Sequence, residues 1–183
     1  MLCDLFGGDI MNLKDMGKVQ KMTFSAMIMA VYVVLVYITQ SFSFGAYQIR
    51  IATSVYALAY LFPFLVLPLG LANSISNTLF GGLGLLDTIG GGIAGILTTL
   101  IIAGIRKMGW HRAFIVIPLI FVPGLLVPLW LSYILKVPYA ALAVSLCIGQ
   151  IIPALCGTAV VSALARAWGI DTGRGGQNKK AAV

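Results

Sequence analysis

Phe44-Gly-Ala-Tyr-Gln-Ile-Arg-Ile-Ala-Thr-Ser-Val-Tyr56 lies between two long apolar segments, yet it carries Gln48, Arg50, Thr53 and Ser54. The chain around it is 60% hydrophobic and only 9% charged, with a mean hydropathy of +1.02, whereas soluble domains carry about 25% charged residues. Ionisable groups are costly near hydrocarbon, so an arginine in this setting marks a ligand path or anchors a helix end. The stretch therefore reads as a polar island at one end of a bundle of membrane helices. A second island, Asn73 to Asp87, follows one apolar segment later. The two are expected to meet on one side of the bundle around a small polar ligand.

Working outward, hydropathy places spans at about 22–40, 53–67, 69–80, 87–103, 113–135 and 139–165, the longer ones near the roughly 20 residues that a bilayer core needs. The second and third are short and are interrupted by Pro63, Pro68, Asn73, Ser74, Ser76, Asn77 and Thr78. They are expected to be tilted, broken or buried rather than lipid-facing. Pro118, Pro123 and Pro128 should kink the fifth span, and Gly90, Gly91, Gly92 and Gly95 should let neighbours approach the fourth. The expected fold is an all-α integral membrane protein, a bundle of about six transmembrane helices. An N-terminal segment over 1–21 precedes the membrane domain at 22–168, and a disordered tail over 169–183 follows it.

Charge placement supplies the orientation. Of the +7 net charge, Lys14, Lys18 and Lys21 precede the first span; Arg106, Lys107 and Arg112 share one loop; Arg166, Arg174, Lys179 and Lys180 follow the last span. Only Arg50 and Lys136 fall on the other side. This positive-inside pattern puts both termini in the cytoplasm and the first island outside. The basic excess is a topology signal, and no nucleic-acid partner is expected.

Several chemistries are disfavoured. The sequence contains no glutamate, and its single histidine, His111, sits in the basic loop. It has no HExxH, no GxSxG and no acidic metal cluster, so neither an enzyme nor a metal or cofactor site is expected. Cys3, Cys147 and Cys156 show no metal-ligand spacing and predict no disulfide. The glycine run from Gly81 to Gly92 lacks the Lys-Ser/Thr of a phosphate loop. Asp87 is the only carboxylate within the spans, too few for a proton relay.

Each polar residue of the spans has a structural reading beside a functional one. Asp87 fits a helix N-cap as well as a ligand contact. Arg50 fits a snorkelling anchor, and Asn73, Asn77 and Gln150 fit hydrogen bonds between helices. Trp130, Tyr133 and Tyr139 fit an interfacial aromatic belt. Ala26 and Ala30 form a small-xxx-small pair, suited to packing within the chain or to docking another membrane subunit. The convergence of the polar residues near one face favours a binding site.

Ser43-Phe-Gly-Ala-Tyr-Gln-Ile-Arg50, Gly81-Gly-Leu-Gly-Leu-Leu-Asp87 and Gly149-Gln150 carry a resemblance. The region from Tyr32 to about Leu100 resembles the substrate-binding (S) components of energy-coupling factor (ECF) transporters, in particular the queuosine-precursor (QueT-type) branch. The resemblance implies a multi-pass protein of a prokaryotic plasma membrane, with a pocket near its outer face for a 7-deazaguanine. It implies docking through Ala26 and Ala30 onto a transmembrane scaffold subunit, and energy from two cytoplasmic ATPase subunits. Family members tend to carry a glutamate shortly after the Gln-x-Arg and a Gly-Glu in the last helix. Here the corresponding positions are the neutral Ala52-Thr53-Ser54 stretch and Gln150.

The pocket expected on this resemblance uses Asp87 to accept paired ring N–H donors, with Gln48, Asn77 and Gln150 on the remaining edges. Arg50 is placed on a carbonyl or the ring face, with Trp130 or Tyr56 as an aromatic wall. The neutral Thr53 and Gln150 point to an uncharged deazaguanine, such as the nitrile-bearing precursor or the free base. The competing readings are an S component for another vitamin-like heterocycle, and an accessory membrane subunit or facilitator without ATPase coupling.

Overall fold

The computed structural model describes residues 16–43, 49–81 and 83–167, and every regular element among them is helical. Helix α1 (Lys18–Ile38) is followed by the short α2 (Gln40–Ser43), then by a 3-10 helix at Ile51–Tyr60. A 3-10 turn at Pro63–Leu65 leads into α3 (Val66–Ser76), which runs on into a π-helical turn at Asn77–Gly81. Next come α4 (Leu85–Lys107), a 3-10 turn at Arg112–Ile115, α5 (Val116–Leu135), α6 (Tyr139–Gly149) and α7 (Ile151–Ala167). Five helical stretches, at 18–38, 63–81, 85–107, 112–135 and 139–167, are long and apolar enough to cross a membrane, and Ile51–Tyr60 is a shorter apolar helix. The all-helical membrane bundle is thus as the sequence predicts.

The Ile51–Tyr60 helix runs through the middle of the bundle. Ala52, Thr53, Val55, Tyr56, Ala57, Ala59 and Tyr60 are all buried, and α1, α4 and α7 pack around it. A 3-10 helix rises about 2.0 Å per residue against 1.5 Å for an α-helix, so this short segment reaches further than its length suggests. Two features hold the tight coil. Gly157 of α7 lies against its backbone, where a Cβ would stand 2.6 Å from the Ser54 carbonyl oxygen. At its C-terminal end the Arg106 guanidinium donates to the carbonyls of Tyr60, at 2.9 Å, and Leu61.

Two boundaries differ from the sequence reading. The break predicted at Pro68 occurs earlier, at Leu61–Phe62, and Pro68 lies in the first turn of α3, where a proline forfeits no hydrogen bond because that N–H has no partner in the helix. The last predicted span is divided at Gln150. Pro153 has no N–H to offer the Gly149 carbonyl, and its ring crowds that turn, so the helix slips there. Pro123 and Pro128 remain inside α5. The lone histidine has a local role: His111 Nδ1 accepts the Ala113 N–H at 3.2 Å, capping the turn that leads into α5.

The apolar core occupies the Arg106 half of the bundle. Leu61, Phe62, Leu65, Leu69, Ile102, Ile115, Leu119 and Val161 are buried together, and Phe24, Phe62 and Phe64 form an aromatic cluster with centroids 4.8–6.2 Å apart. In α1 only Tyr32 and Val36 are buried. Ala26 and Ala30 lie on its exposed side.

Candidate functional site

The polar residues gather at the other half, where the end of α3, the start of α4 and the end of α5 meet. Arg50, just ahead of the central 3-10 helix, donates through one guanidinium nitrogen to Asn73 Oδ1 at 3.0 Å and through the other to Asn77 Oδ1. The two amides reach on to α4: Asn73 Nδ2 donates to the Gly91 carbonyl at 2.6 Å, and Asn77 Nδ2 to the Asp87 carbonyl at 2.9 Å. An amide turned the other way would set its NH2 against Arg50, so the network fixes which atom is oxygen. The asparagines thus join α3 to α4, as their structural reading predicts, and also hold Arg50. The π-helical turn begins at Asn77; such turns are frequent at functional sites.

Asp87 is 5% exposed, and its Oδ1 accepts the Trp130 indole N–H at 3.1 Å. It is not the N-cap. Gly84, at φ +89°, holds that position, because the turn into α4 needs a left-handed residue that only glycine adopts cheaply. Asp87 falls inside the first turn, where the helix dipole favours a carboxylate. The indole lies on the α4 backbone at Gly90, where a Cβ would come within 2.7 Å of the ring. Likewise Gly95 admits the Tyr56 hydroxyl, which a Cβ would meet at 2.8 Å.

Below Arg50 lies a buried tyrosine pair. The rings of Tyr32 and Tyr56 stack with centroids 5.4 Å apart, and their hydroxyls are 3.1 Å apart. Tyr32 also donates to Asn73 Oδ1 at 3.2 Å. The sequence reading did not single out Tyr32. A tyrosine in an apolar helix has no local signature separating a core hydroxyl from an interfacial one, and only its inward direction here distinguishes it.

Two clefts open on the cluster. One is lined by Arg50, Asn77, Leu83, Asp87, Gly91, Val127 and Trp130. The other is lined by Arg50, Thr53, Tyr56, Asn73, Ala94, Gly95, Pro123, Val127, Leu146 and Gln150. Arg50 and Val127 border both. Thr53 and Gln150 are each 3% exposed, and Gln150 Oε1 is buried without a hydrogen-bond partner. Of the predicted ligand residues, Arg50, Thr53, Asn77, Asp87, Trp130 and Gln150 therefore come together around the clefts, whereas Gln48 lies outside the described residues. Tyr133 points outward, 80% exposed, and the exposed Tyr139 bonds the Leu125 carbonyl at 3.0 Å.

Comparison with known proteins returns no curated protein and no solved structure that matches this chain. The model of one family, described as QueT transporter, matches residues 22–166. That match takes in every helix described above except the first turn of α1 and the last residue of α7, and it agrees with the resemblance carried by the Arg50, Asp87 and Gln150 motifs. The chain is a multi-pass membrane protein belonging to the QueT transporter family.

Proposed function

We propose that the chain is the substrate-binding membrane subunit of an energy-coupling factor importer, and that its cargo is a queuosine precursor of the 7-deazaguanine class. The observation that carries this reading is the buried Asp87 carboxylate, oriented by Trp130 and set in the same cleft as Arg50 and Asn77. The pyrimidine edge of a deazaguanine presents adjacent N–H donors beside a carbonyl. A carboxylate accepts the donors as a pair, Arg50 donates to the carbonyl, and the indole supplies a flat wall. Gln48, two residues before Arg50 in the sequence, is a further candidate contact.

The distribution of basic residues supports an orientation with this end of the bundle outside the cell and both termini in the cytoplasm, around a proposed membrane domain at 22–168. The exposed Ala26 and Ala30 give α1 a flat strip against which a scaffold helix can lie closely. Two ATPase subunits bound to that scaffold supply the energy, and the chain itself binds without catalysing. A prokaryotic plasma membrane is the location this assembly requires.

The test is a fluorescence titration of the purified chain in detergent, with Trp110 and Trp168 replaced by Phe so that Trp130 reports alone. Saturable quenching by a 7-deazaguanine, absent with riboflavin, supports the reading. No response to any deazaguanine from well-folded protein refutes it and favours the accessory-subunit reading, for which the exposed face of α1 is the supporting observation.

A further inference from the structure

The Arg106 end of the bundle carries one sign of charge. Among the described residues Lys18, Lys21, Arg106, Lys107, Arg112 and Arg166 lie at this end and no carboxylate does; Asp87 belongs to the first turn of α4, at the other end. These bases are not equivalent. Arg106 is engaged by the Tyr60 and Leu61 carbonyls. Arg112 is half-buried, and its Nη1 is buried without a hydrogen-bond partner, while Lys107 is exposed. Every guanidinium nitrogen is a donor, so the need for an acceptor does not depend on how the group is turned.

The loop between these two bases is held at both sides. The Trp110 N–H bonds the Ile105 carbonyl at 3.1 Å, and the Trp110 carbonyl accepts the Tyr60 hydroxyl at 3.1 Å. His111 Nδ1 then caps the turn that follows. On this frame Trp110 and Phe114 stand exposed, with ring centroids 5.5 Å apart. The exposed apolar side continues from Phe114 along α5 through Ile117, Phe121 and Leu125, at spacings of three and four that keep to one face. That stripe is about 16 Å long at 1.5 Å per residue, the depth of one leaflet of a hydrocarbon core about 30 Å thick.

We infer that this loop is a binding site for an anionic phospholipid, with the phosphate held by Arg112 and Lys107, the glycerol region against Trp110, and an acyl chain along the stripe from Phe114 to Leu125. Basic groups, an aromatic pair and an apolar stripe follow in the order in which a phospholipid presents phosphate, glycerol and chain. Indoles favour the headgroup level, and basic pockets at the membrane surface take anionic headgroups. An acidic protein segment would match the charge but leaves a leaflet-long apolar stripe unused. Charge that served orientation alone would act by its number and side, whereas a site depends on which bases are removed. The inference rests on the chain being a membrane protein and on neither the proposed cargo nor the proposed partner subunits.

The experiment titrates phosphatidylglycerol and phosphatidylcholine of identical acyl chains into the purified full chain in a neutral detergent and counts the lipid retained by native mass spectrometry. Phosphatidylglycerol is expected to be retained about tenfold more strongly, from two bases beside its phosphate. Lys107→Gln combined with Arg112→Gln should bring this ratio to about twofold or less. Lys18→Gln combined with Lys21→Gln removes the same charge from the same end and should leave the ratio unchanged. Equal losses in the two pairs would mean a general field in place of a site, and overturn the inference. Equal retention of the two lipids by the unaltered chain also overturns it and leaves the charge to orientation or to an acidic protein partner. Displacement of phosphatidylglycerol by inorganic phosphate would show a free-anion site in which the acyl chain has no part, and overturns the lipid assignment. Should the Lys107/Arg112 pair not fold, Lys107→Gln against Lys21→Gln decides, with only the former expected to lower the ratio.

Discussion

Replacing Asp87 by Asn separates charge from shape at the centre of the proposed site. The amide oxygen can still accept the Trp130 N–H, which the carboxylate takes at 3.1 Å, so the end of α5 stays tied to α4. What is lost is a charged acceptor for two ligand donors, worth about 1.5–3 kcal/mol per bond. Asp87→Asn is therefore expected to weaken deazaguanine binding by about ten- to a hundredfold with an unchanged melting temperature in detergent; equal losses in both would mean that the carboxylate serves the fold alone. Gly90→Ala probes the same contact from the other side, since its Cβ would lie 2.7 Å from the indole. Trp130 should be displaced, with a shifted emission maximum and binding weakened several-fold. Arg50, Asn77, Asp87 and Gln150 were legible in the sequence because a polar side chain in an apolar run requires a reason. The bond from Asn73 to Arg50 and the tyrosine pair beneath it were not, because they depend on which way each side chain faces, and spacing along one helix does not reveal that.

The central 3-10 helix decides where Thr53 and Tyr56 stand, since both line the cleft bordered by Gln150 from it. Its sequence, apolar but for Thr53 and Ser54, is compatible with either an α-helix or a 3-10 helix, so the type of coil and its early end at Tyr60 were not readable. Both follow from partners distant in sequence, Gly157 and Arg106. A Cβ at position 157 meets the Ser54 carbonyl at 2.6 Å, and a backbone atom cannot rotate aside as a side chain can. Gly157→Ala should therefore cost about 1–3 kcal/mol through overpacking, visible as a lower melting temperature. Arg106→Ala strips donors from the Tyr60 and Leu61 carbonyls and is expected to cost about 1–3 kcal/mol as well. Because it releases the end of the helix that carries Tyr56, surviving protein should also bind ligand less tightly. A melting curve unmoved by either change would mean that the tight coil holds without these two contacts.

Across the whole molecule, polarity is segregated: a dry core fills one half, the Arg50–Asp87 network lies in the other, and α1 contributes buried side chains only through Tyr32 and Val36. The helical membrane bundle was plain from hydropathy. The division of the 51–81 region was not, because Pro68 looks the same in sequence whether it ends a helix or sits in the first turn of the next. A helix with so little buried surface must be covered by lipid or by protein, and the two alternatives differ in how they respond to bulk. Lipid chains move aside for a larger side chain. A closely packed helix pair does not, because small-residue contacts work by letting backbones approach. Ala26→Leu combined with Ala30→Leu leaves every contact of Tyr32 and Val36 in place, so folding and ligand titration should match the unaltered chain. If this face carries the proposed scaffold subunit, uptake of labelled queuine by cells that also express the energising subunits should fall to background, and the variant should no longer co-purify with them. Uptake at the unaltered rate would assign the face to lipid and move the docking surface to another helix.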